Sequence, residues 1–219
     1  MTQPNEEVAD VESLVARATS GDQHSLAELL GYYRPRLRNM VAFRMDKHLQ
    51  GRVDPSDVLQ EVFLELADKL DEFKTRKMSF FVWIRLVTIE RVLRTHREHL
   101  TTQKRDARRE LSIDHQLGSD ATSMSIALGL LANVSSVGDR AARAEQQAAL
   151  LKLLGKMDPT DREVIALRVF EGLSNGEAAE TLELTKQTAS KRFIRAMRRL
   201  REAMLLIPGL SEQFDSPPR

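Results

Sequence analysis

The chain has 219 residues, which leaves room for two small domains, and its hydrophobic content of 42% supports packed cores. Aromatic residues make up only 5%, glycine and proline are few, and no stretch alternates strongly with period two, so helices are favoured and an extensive sheet is excluded. There is no cysteine for disulfides or thiolate chemistry and no run of the ~20 apolar residues that span a bilayer, and a net charge of +1 conceals strong segregation of charge along the chain.

The first part of the chain predicts two helices. The N-terminus is acidic and lacks the apolar core of a signal peptide, so we predict a cytoplasmic protein. A first helix is expected to end near Gly21, and Asp22 is expected to cap the second. Pro35 is predicted to interrupt or kink this second helix at Arg34.

The strongest helix start in this half is Asp54-Pro55-Ser56-Asp57. Asp54 is the predicted N-cap, Pro55 takes the first helical position, and Asp57 favours the positive end of the helix dipole. Apart from Lys69, the charged residues on the outer side are acidic: Asp57, Glu61, Glu65, Asp68, Asp71 and Glu72. A face of one sign cannot lie on phosphates, so it indicates a basic protein partner, the alternative being an ordinary solvated face.

The next helix, with Ser79 as its predicted cap, begins apolar on nearly all sides and then turns basic. Its first turns carry Phe80, Phe81 and Trp83, and we assign these aromatic residues to the core rather than to base stacking. The basic residues are Arg85, Arg91, Arg94, Arg97, Lys104, Arg105, Arg108 and Arg109.

The composition changes between Leu111 and Gly138, where lysine and arginine are absent and Ser, Gly, Asp and Asn accumulate. We predict a flexible linker over 101–138, with a short helix around 123–131. The chain is then an all-α protein of two small helical domains, 1–100 and 139–210. The C-terminal domain is a helix-turn-helix, and residues 211–219 are predicted to be a disordered tail.

Three helix starts define the C-terminal domain. Thr160 with Glu163, and Ser174 with Glu177, have the spacing of capping boxes, and Thr185 opens a third helix. The second helix is short and rich in alanine and the third is long and basic, which is the helix-turn-helix pattern. The apolar stripe predicted for the third helix is Ala189, Phe193, Met197, Leu200 and Met204. No acidic residue follows Thr185 until after Arg201, whereas the faces of an ordinary solvated helix, the alternative, mix both signs.

Motifs for catalysis or cofactor binding are absent from the sequence. There is no glycine-rich phosphate loop, no dinucleotide fingerprint and no Cys/His zinc pattern. His96 and His99 lie three residues apart but lack a third ligand, so we predict no metal. We therefore predict no cofactor and no enzymatic activity.

Three stretches, in this order, resemble parts of bacterial sigma factors. DPSDVLQEVFLELADKLDEF is similar to their polymerase-binding helix, and SFFVWIRLVTIERVLRTHRE to the helix that reads and melts the minus-ten promoter element. MDPTDREVIALRVFEGLSNGEAAETLELTKQTASKRFIRAMRRL is similar to the domain that reads the minus-thirty-five element. No middle domain separates them, which resembles the extracytoplasmic-function (ECF) class. The likeness covers most of 22–100 and 139–204.

The resemblance implies a sigma factor that binds core RNA polymerase and directs promoter-specific transcription initiation. The partners it implies are core RNA polymerase, double-stranded promoter DNA, its melted single strand and an anti-sigma factor, without a membrane. The residues that the resemblance implies as DNA contacts at the upstream element are Lys186, Gln187, Thr188, Ser190, Lys191, Arg192 and Arg195. Those implied as DNA contacts at the downstream element are Arg85, Thr88, Arg91, Arg94 and Arg97. Those implied as contacts of this chain with polymerase are Asp57, Gln60, Glu61 and Glu65.

The sequence departs from the family at several functional positions. Glu90 stands where family members often have Asn, and Arg94 stands where they often have Asp. Glu183 replaces the glycine of the turn, so it must adopt the turn without glycine's conformational freedom. Asn175-Gly176 replaces a pair that is usually acidic.

Two other functions are compatible with parts of the sequence. A free-standing helix-turn-helix regulator would use the C-terminal domain, but it leaves the acidic helix unexplained and normally needs a dimer interface. An enzyme with a DNA-binding appendage would need a catalytic constellation, and the sequence contains none.

Overall fold

The computed structural model describes residues 4–102, 119–132 and 140–210, and the regular structure in these ranges is entirely helical. The predicted all-α class is therefore confirmed. The helices up to Thr102 form one compact unit and those from Ser119 form a second. The predicted tail, 211–219, and residues 103–118 and 133–139 of the predicted linker lie outside the described residues.

The helices of the first unit are α1 (Pro4–Thr19), α2 (Gln23–Arg44), α3 (Lys47–Gln50), α4 (Pro55–Lys74) and α5 (Phe80–Thr102). Those of the second unit are α6 (Ser119–Ala132), α7 (Arg140–Gly155), α8 (Pro159–Ile165), α9 (Asn175–Thr181) and α10 (Lys186–Met204). A π-helical segment, Ala166–Phe170, continues α8.

Helix α2 begins as predicted but passes through its proline. The Asp22 side chain accepts a hydrogen bond from the backbone N–H of His24 at 3.0 Å, which confirms the cap. The helix continues through Pro35, so of the two predicted effects the interruption does not occur, and the kink at Arg34 stays a prediction. Leu29 and Leu37 are fully buried on either side of the proline, so packing outweighs the lost backbone hydrogen bond.

Helix α4 packs against α2 and α5 and supplies much of the core of the first unit. Asp54 caps it as predicted, accepting from the N–H of Ser56 at 2.7 Å, and Pro55 occupies the first turn. The pKa of the Asp54 carboxyl is lowered by this backbone hydrogen bond. The buried residues of α4 are Val58, Leu59, Val62, Leu66 and Leu70.

The aromatic residues at the start of α5 belong to the core, as predicted. Trp83 is only 3% exposed, and its ring lies 5.3 Å from that of Phe73 on α4. Phe80 contacts Phe73 edge-on at 5.2 Å. These rings close the end of the α4–α5 pair and are unavailable for stacking on bases.

Helix α6 lies within the predicted linker but is packed into the second unit. It contacts α7, α8 and the π-helical segment, and its residues Ile126, Ala127 and Leu131 are buried. The short helix expected around 123–131 is therefore present. However, 119–132 is packed into the core of the second unit, which differs from its assignment to a linker. The serines in this segment made it look polar, although one of its faces is apolar.

The start of α8 differs from the prediction. Asp158, not Thr160, is the N-cap, and its carboxylate accepts from the N–H groups of Thr160 (2.8 Å) and Asp161 (3.4 Å). Pro159 takes the first helical turn, so the cap must precede it. The predicted capping box of Thr160 with Glu163 is therefore wrong, because the N-cap is Asp158, two residues before Thr160.

Helix α9 begins with the predicted capping box and ends in a strained residue. The Ser174 side chain accepts from the N–H of Glu177 at 3.2 Å, and the Glu177 carboxylate accepts from the N–H of Ser174 at 2.7 Å. At the other end the N–H of Leu184 bonds to the carbonyl of Ala179 at 2.8 Å, as in a Schellman motif. Glu183 takes the left-handed position, with φ of 55°, that glycine usually fills.

Helix α10 follows Thr185, whose hydroxyl accepts from the N–H of Thr188 at 3.1 Å, as predicted. Its buried residues are Ala189, Ala196, Leu200 and Met204. The predicted stripe is thus partly corrected, because Phe193 and Met197 are only half-buried and Ala196 lies at the contact instead. A small residue there lets α10 approach α8 closely.

A first prediction concerns the packing of α6. A Cβ added at Gly129 would lie 2.4 Å from Cε1 of Phe170, so Gly129→Ala must displace this ring. We expect the second unit to lose about 1–3 kcal/mol of stability in urea denaturation followed by circular dichroism. Fluorescence of Trp83, the only tryptophan, should report an unchanged first unit. Gly155→Ala is the control, since nothing lies within 4 Å of its added Cβ; equal stability of the two variants would contradict the packing of α6.

A second prediction concerns the turn. Glu183→Gly should stabilise the second unit by about 1 kcal/mol, because glycine adopts positive φ without the steric cost paid by other residues. Glu180→Gly is the matched control within α9, where the same substitution should destabilise by about 1 kcal/mol. Denaturation midpoints of both variants provide the measurement. A loss of stability in Glu183→Gly would show that the turn carries no strain.

Candidate nucleic-acid interfaces

The outward face of α10 is cationic along its length. Of the predicted upstream-element residues, those that are exposed are Lys186, Gln187, Thr188, Lys191 and Arg195, and Ser190 is half-buried. Arg198, Arg199 and Arg201 are also exposed, and they extend the charge towards the end of the helix. The structure therefore brings these residues together on one surface, whose positive charge suits a phosphate backbone.

Asn175 positions the start of α10 relative to the preceding helices. Its Nδ2 donates to the backbone carbonyl of Lys186 at 2.8 Å, and its Oδ1 accepts from Nη1 of Arg168 at 3.1 Å. A Cβ on the neighbouring Gly176 would already touch Cε of Lys186 at 3.4 Å. Asn175 thus has a structural role in joining α9 to the first turn of α10, whereas the space at Gly176 would admit a small side chain.

Arg192 is placed differently from its predicted role at the upstream element. Its Nη1 donates to Oδ1 of Asp161 at 2.6 Å and lies 3.3 Å from Oδ1 of Asp158, the cap of α8. The hydrogen bond to Asp161, whose side chain is 5% exposed, raises the pKa of Arg192. Arg192 is therefore directed at α8 in this structure rather than along the outward face of α10.

The same ion pairs affect the carboxylate of Asp158. Burial acts to raise its pKa, but the N–H groups of Thr160 and Asp161, together with the charge of Arg192, hold it below its usual value of 3.8. A lowered pKa means that the ionised form stabilises the fold above the ordinary range of a carboxyl group, and this stabilisation is lost as the pH falls through the lowered value. The contact of α8 with α10 is thus fully charged at neutral pH.

Sequence reasoning missed Ile194, which is 65% exposed on α10. It lies three residues beyond Lys191 and on the opposite side of the helix from the buried Ala196. An apolar residue among cations gives no charge or hydrogen-bond signal in a sequence. The exposure becomes evident only when the buried side of α10 is known.

Two predicted downstream-element residues are inside the first unit. Arg85 is 5% exposed and Thr88 is fully buried, with its hydroxyl donating to the carbonyl of Ile84 at 2.7 Å. Both side chains are thus buried in this structure, and their assignment to DNA contact stays a prediction that this burial does not favour. The helix is apolar on nearly all sides in its first half, so the sequence alone did not indicate which residues faced the core.

The remaining predicted residues of α5 lie at or near the surface. Arg97 is exposed, whereas Arg91 and Arg94 are half-buried and contact acids of α4. The α4–α5 ion cluster, as we define it, consists of Glu61, Glu65, Lys69, Arg91 and Arg94. In it Arg94 Nη1 lies 2.7 Å from Glu65 Oε1, Arg91 Nη1 lies 3.5 Å from the same oxygen, and Arg91 also pairs with Glu61.

The ion cluster divides the predicted polymerase-binding residues into two groups. Asp57 and Gln60 are exposed and have no place in the cluster. Glu61 is half-exposed and paired, and the Glu65 side chain, at 20% exposure, is surrounded by Arg91, Arg94 and Lys69. The acidic residues of α4 that are exposed and lie outside the ion cluster are therefore mainly ones other than Glu61 and Glu65.

The outward face of α4, as we define it, consists of Asp57, Gln60, Glu61, Leu64, Asp68 and Asp71. These residues are all exposed and follow one side of the helix. Leu64, which the sequence analysis did not single out, is 73% exposed near the middle of this face. An exposed leucine bordered by carboxylates fits an interface with an apolar centre and a polar rim.

The parts of the chain that the structure describes offer no alternative chemical site. Among them there is no group of three or more His, Cys, Asp or Glu residues that could hold a metal ion. No described helix combines the length and the hydropathy needed to cross a membrane.

Comparison with known proteins gives one consistent family. A family model described as ECF sigma factor matches residues 8–204. The sigma factor CnrH of Cupriavidus metallidurans is 28% identical over 189 residues, which cover 85% of this chain and 90% of that protein. The sigma factor NccH of Alcaligenes xylosoxydans xylosoxydans is 27% identical over 195 residues, covering 86% and 91% respectively.

Similar solved structures carry related descriptions. CnrH in complex with the cytosolic domain of CnrY is 24% identical and covers 88% of this chain and 96% of that one, with a TM-score of 0.48. The sigma factor RpoE of Bartonella quintana, in complex with the anti-sigma factor NepR, is 19% identical, with coverage of 82% and 96% and a TM-score of 0.44. Because the family model spans nearly the whole chain, the chain belongs to the ECF sigma factor family, whose members bind RNA polymerase and direct it to promoters.

Proposed function

We propose that three helical surfaces carry the binding functions of this sigma factor. The outward face of α10 reads the upstream promoter element, the second half of α5 contacts the downstream element, and the outward face of α4 docks on core RNA polymerase. The observation that carries the proposal is the exposed cationic face of α10. This helix has no acidic residue before Glu202 and is the second helix of a helix-turn-helix whose two helices are both capped. Such a surface suits a DNA groove, where side chains meet base edges and flanking phosphates.

At the upstream element, the residues proposed to contact DNA are Lys186, Gln187, Thr188, Ser190, Lys191 and Arg195. They occupy the first half of α10, the part of a recognition helix that usually enters the major groove. Arg192 is proposed to act as a positioning residue instead. Its guanidinium is engaged by Asp161 and Asp158, so it holds α10 on α8.

At the downstream element, we assign the contacts to Arg91, Arg94 and Arg97, without Arg85 and Thr88. Arginines near the surface can hold the phosphates of a melted strand, and their planar groups can stack on its bases. Arg97 is exposed, whereas Arg91 and Arg94 share carboxylates with α4. All three arginines lie on the second half of α5, where they can reach the same strand.

On the polymerase, the proposed contact is the whole outward face of α4 with Leu64 near its centre. A basic partner surface would complement Asp57, Asp68 and Asp71, and an apolar group on it would cover Leu64. A free-standing regulator would have no use for this face, which makes that alternative the weaker one. The chain is proposed to do no chemistry and to work in the cytoplasm, where an anti-sigma factor would act by covering the α4 or α10 face.

Run-off transcription tests the proposed function. Core RNA polymerase is incubated with genomic DNA fragments with and without the purified chain, and the transcript ends are mapped. We expect new start sites that appear only when the chain is present. Sequence-specific DNA binding without any polymerase-dependent transcript would instead support the free-standing regulator.

A third prediction tests the α4 face. The Asp57→Lys/Asp68→Lys double variant should weaken binding to core polymerase on the order of tenfold or more, because it places like charge against a basic partner. Both residues are exposed and lie outside the ion cluster, so the fold should be kept. The control is Asp10→Lys/Glu12→Lys, the same charge change at exposed residues of α1. Equal affinities of the two double variants, measured by co-purification and by titration, would refute the docking surface.

A fourth prediction separates positioning from DNA contact. Arg192→Ala should lower the stability of the second unit by about 1.5–3 kcal/mol, because the buried Asp161 carboxylate loses its charged hydrogen-bond donor and keeps only the longer contact of 4.0 Å with Arg199. Lys191→Ala, a change at the adjacent exposed residue, should leave stability unchanged and weaken promoter binding. Urea denaturation and promoter titration are measured for both variants. An Arg192→Ala protein of unchanged stability would exclude the positioning role.

The ion pair also has a testable dependence on pH. Since Asp158 has a lowered pKa, the stability difference between the original chain and Arg192→Ala should be full at pH 7 and should shrink as the pH falls below the usual value of 3.8. A difference that is constant from pH 7 to pH 3 would mean that the charge of Asp158 contributes nothing to it.

A further inference from the structure

Ile194 lies on a stripe of α10 whose geometry is that of a base-reading surface. Gln187, Ser190, Lys191 and Ile194 follow one another at spacings of three, one and three residues, so they share one side of the helix. Base-contacting residues of recognition helices in the major groove recur with this same spacing, as in homeodomains. The buried residues Ala196 and Leu200 lie on the opposite side.

The exposure of Ile194 is not explained by packing within the second unit. Its side chain is 65% exposed, and its neighbours on the same face, Lys191, Arg195 and Arg198, are exposed and charged. Isoleucine is also a weaker helix former than the lysine and arginine around it. A lone exposed apolar residue is ordinary on most surfaces. Here, however, its position within the stripe limits the partners that it can meet when α10 enters a groove.

In the major groove an isoleucine side chain has one favourable partner on the base edges. It can neither donate nor accept a hydrogen bond, and it cannot neutralise a phosphate. The C5 methyl group of thymine is the apolar group displayed there, and it distinguishes thymine from the other bases. We propose that Ile194 is a specificity-determining residue that contacts the C5 methyl group of a thymine in the upstream element.

This inference rests on the proposed role of α10 and adds a residue of a different chemical kind to it. Lys191, one turn earlier on the stripe, can donate to O6 and N7 of guanine, and Gln187 can form two hydrogen bonds with adenine. Ile194 supplies the apolar member of the set. Together they select bases by hydrogen bonding and by contact with a methyl group, while the exposed Arg195 flanks the stripe and the exposed Arg198 continues it, and both add positive charge that suits phosphates.

The test removes the methyl group from the DNA and the side chain from the protein. The probe is a promoter recovered by run-off transcription, in which each thymine of the footprinted upstream element is replaced singly by deoxyuridine. Full-length chain with core polymerase is titrated against each probe, with Ile194 intact and as Ile194→Ala. At one thymine we expect the intact protein to lose about fourfold in affinity, the effect of about one buried methyl group. Ile194→Ala should show no loss at that position.

Two further variants make the result specific. Ile194→Val keeps a branched apolar side chain and should retain most of the response to deoxyuridine. Leu206→Ala removes a leucine that is 84% exposed just beyond α10, and its response should equal that of the intact protein. Thermal unfolding should be unchanged in Ile194→Ala, because the side chain makes little contact with the core.

Several outcomes would overturn the inference. One is an intact protein that is indifferent to every deoxyuridine substitution, and another is an equal loss in the intact protein and in Ile194→Ala. Weaker binding of Ile194→Ala to polymerase, with an unchanged deoxyuridine response, would assign the residue to a protein contact instead. In all three cases the upstream footprint would persist. If Lys186→Ala and Lys191→Ala also left the upstream footprint unchanged, the role proposed for α10 would itself fail.

Discussion

The ion pair between Arg192 and the N-terminal turn of α8 joins α8 to α10, the helix proposed to read DNA. Asp158 both caps α8 and receives the guanidinium, and Asp161 accepts its shortest hydrogen bond, at 2.6 Å. Arg199 approaches the second oxygen of Asp161 at 4.0 Å, which places a second contact two turns further along α10. Because one flank of α10 is held in this way, the side with Gln187, Lys191 and Ile194 is turned outward. Asn175 fixes the beginning of the same helix, so its direction is held at more than one point.

In the first unit a comparable constraint joins the two surfaces that are proposed to meet polymerase and DNA. Glu65 on α4 is shared by Arg91 and Arg94 of α5, and Lys69 lies 3.8 Å from its other oxygen. A half-buried carboxylate held by several cations is costly to separate from them. The residues of α4 proposed to face polymerase and those of α5 proposed to face DNA are therefore coupled by charge. The outward residues Asp57 and Asp68 of α4 lie outside that cluster.

The helix starts show how much of the fold follows from short-range chemistry. Asp54, Ser174 and Thr185 are caps whose effect depends on the residues one turn away, and all three were predicted correctly. The start of α8 was predicted wrongly because two possible caps, Asp158 and Thr160, lie close together. Pro159 in the first turn requires the earlier one. The family resemblance placed Glu183 at the turn position where glycine is usual, and its positive φ agrees with that expectation.

By itself the sequence determined the helical class, the helix-turn-helix, the cationic face of α10 and the family resemblance, because these follow from periodicity, capping and local charge. Only the tertiary structure decided which charged and apolar residues remain free for partners. Arg85 and Thr88 are enclosed, Arg192 is paired, and Ile194 and Leu64 are exposed, and none of this follows from spacing along a helix. The physical reason is that burial and ion pairing depend on which side of a helix meets its neighbours, and residues far apart in sequence, such as Asp161 and Arg192, determine that contact.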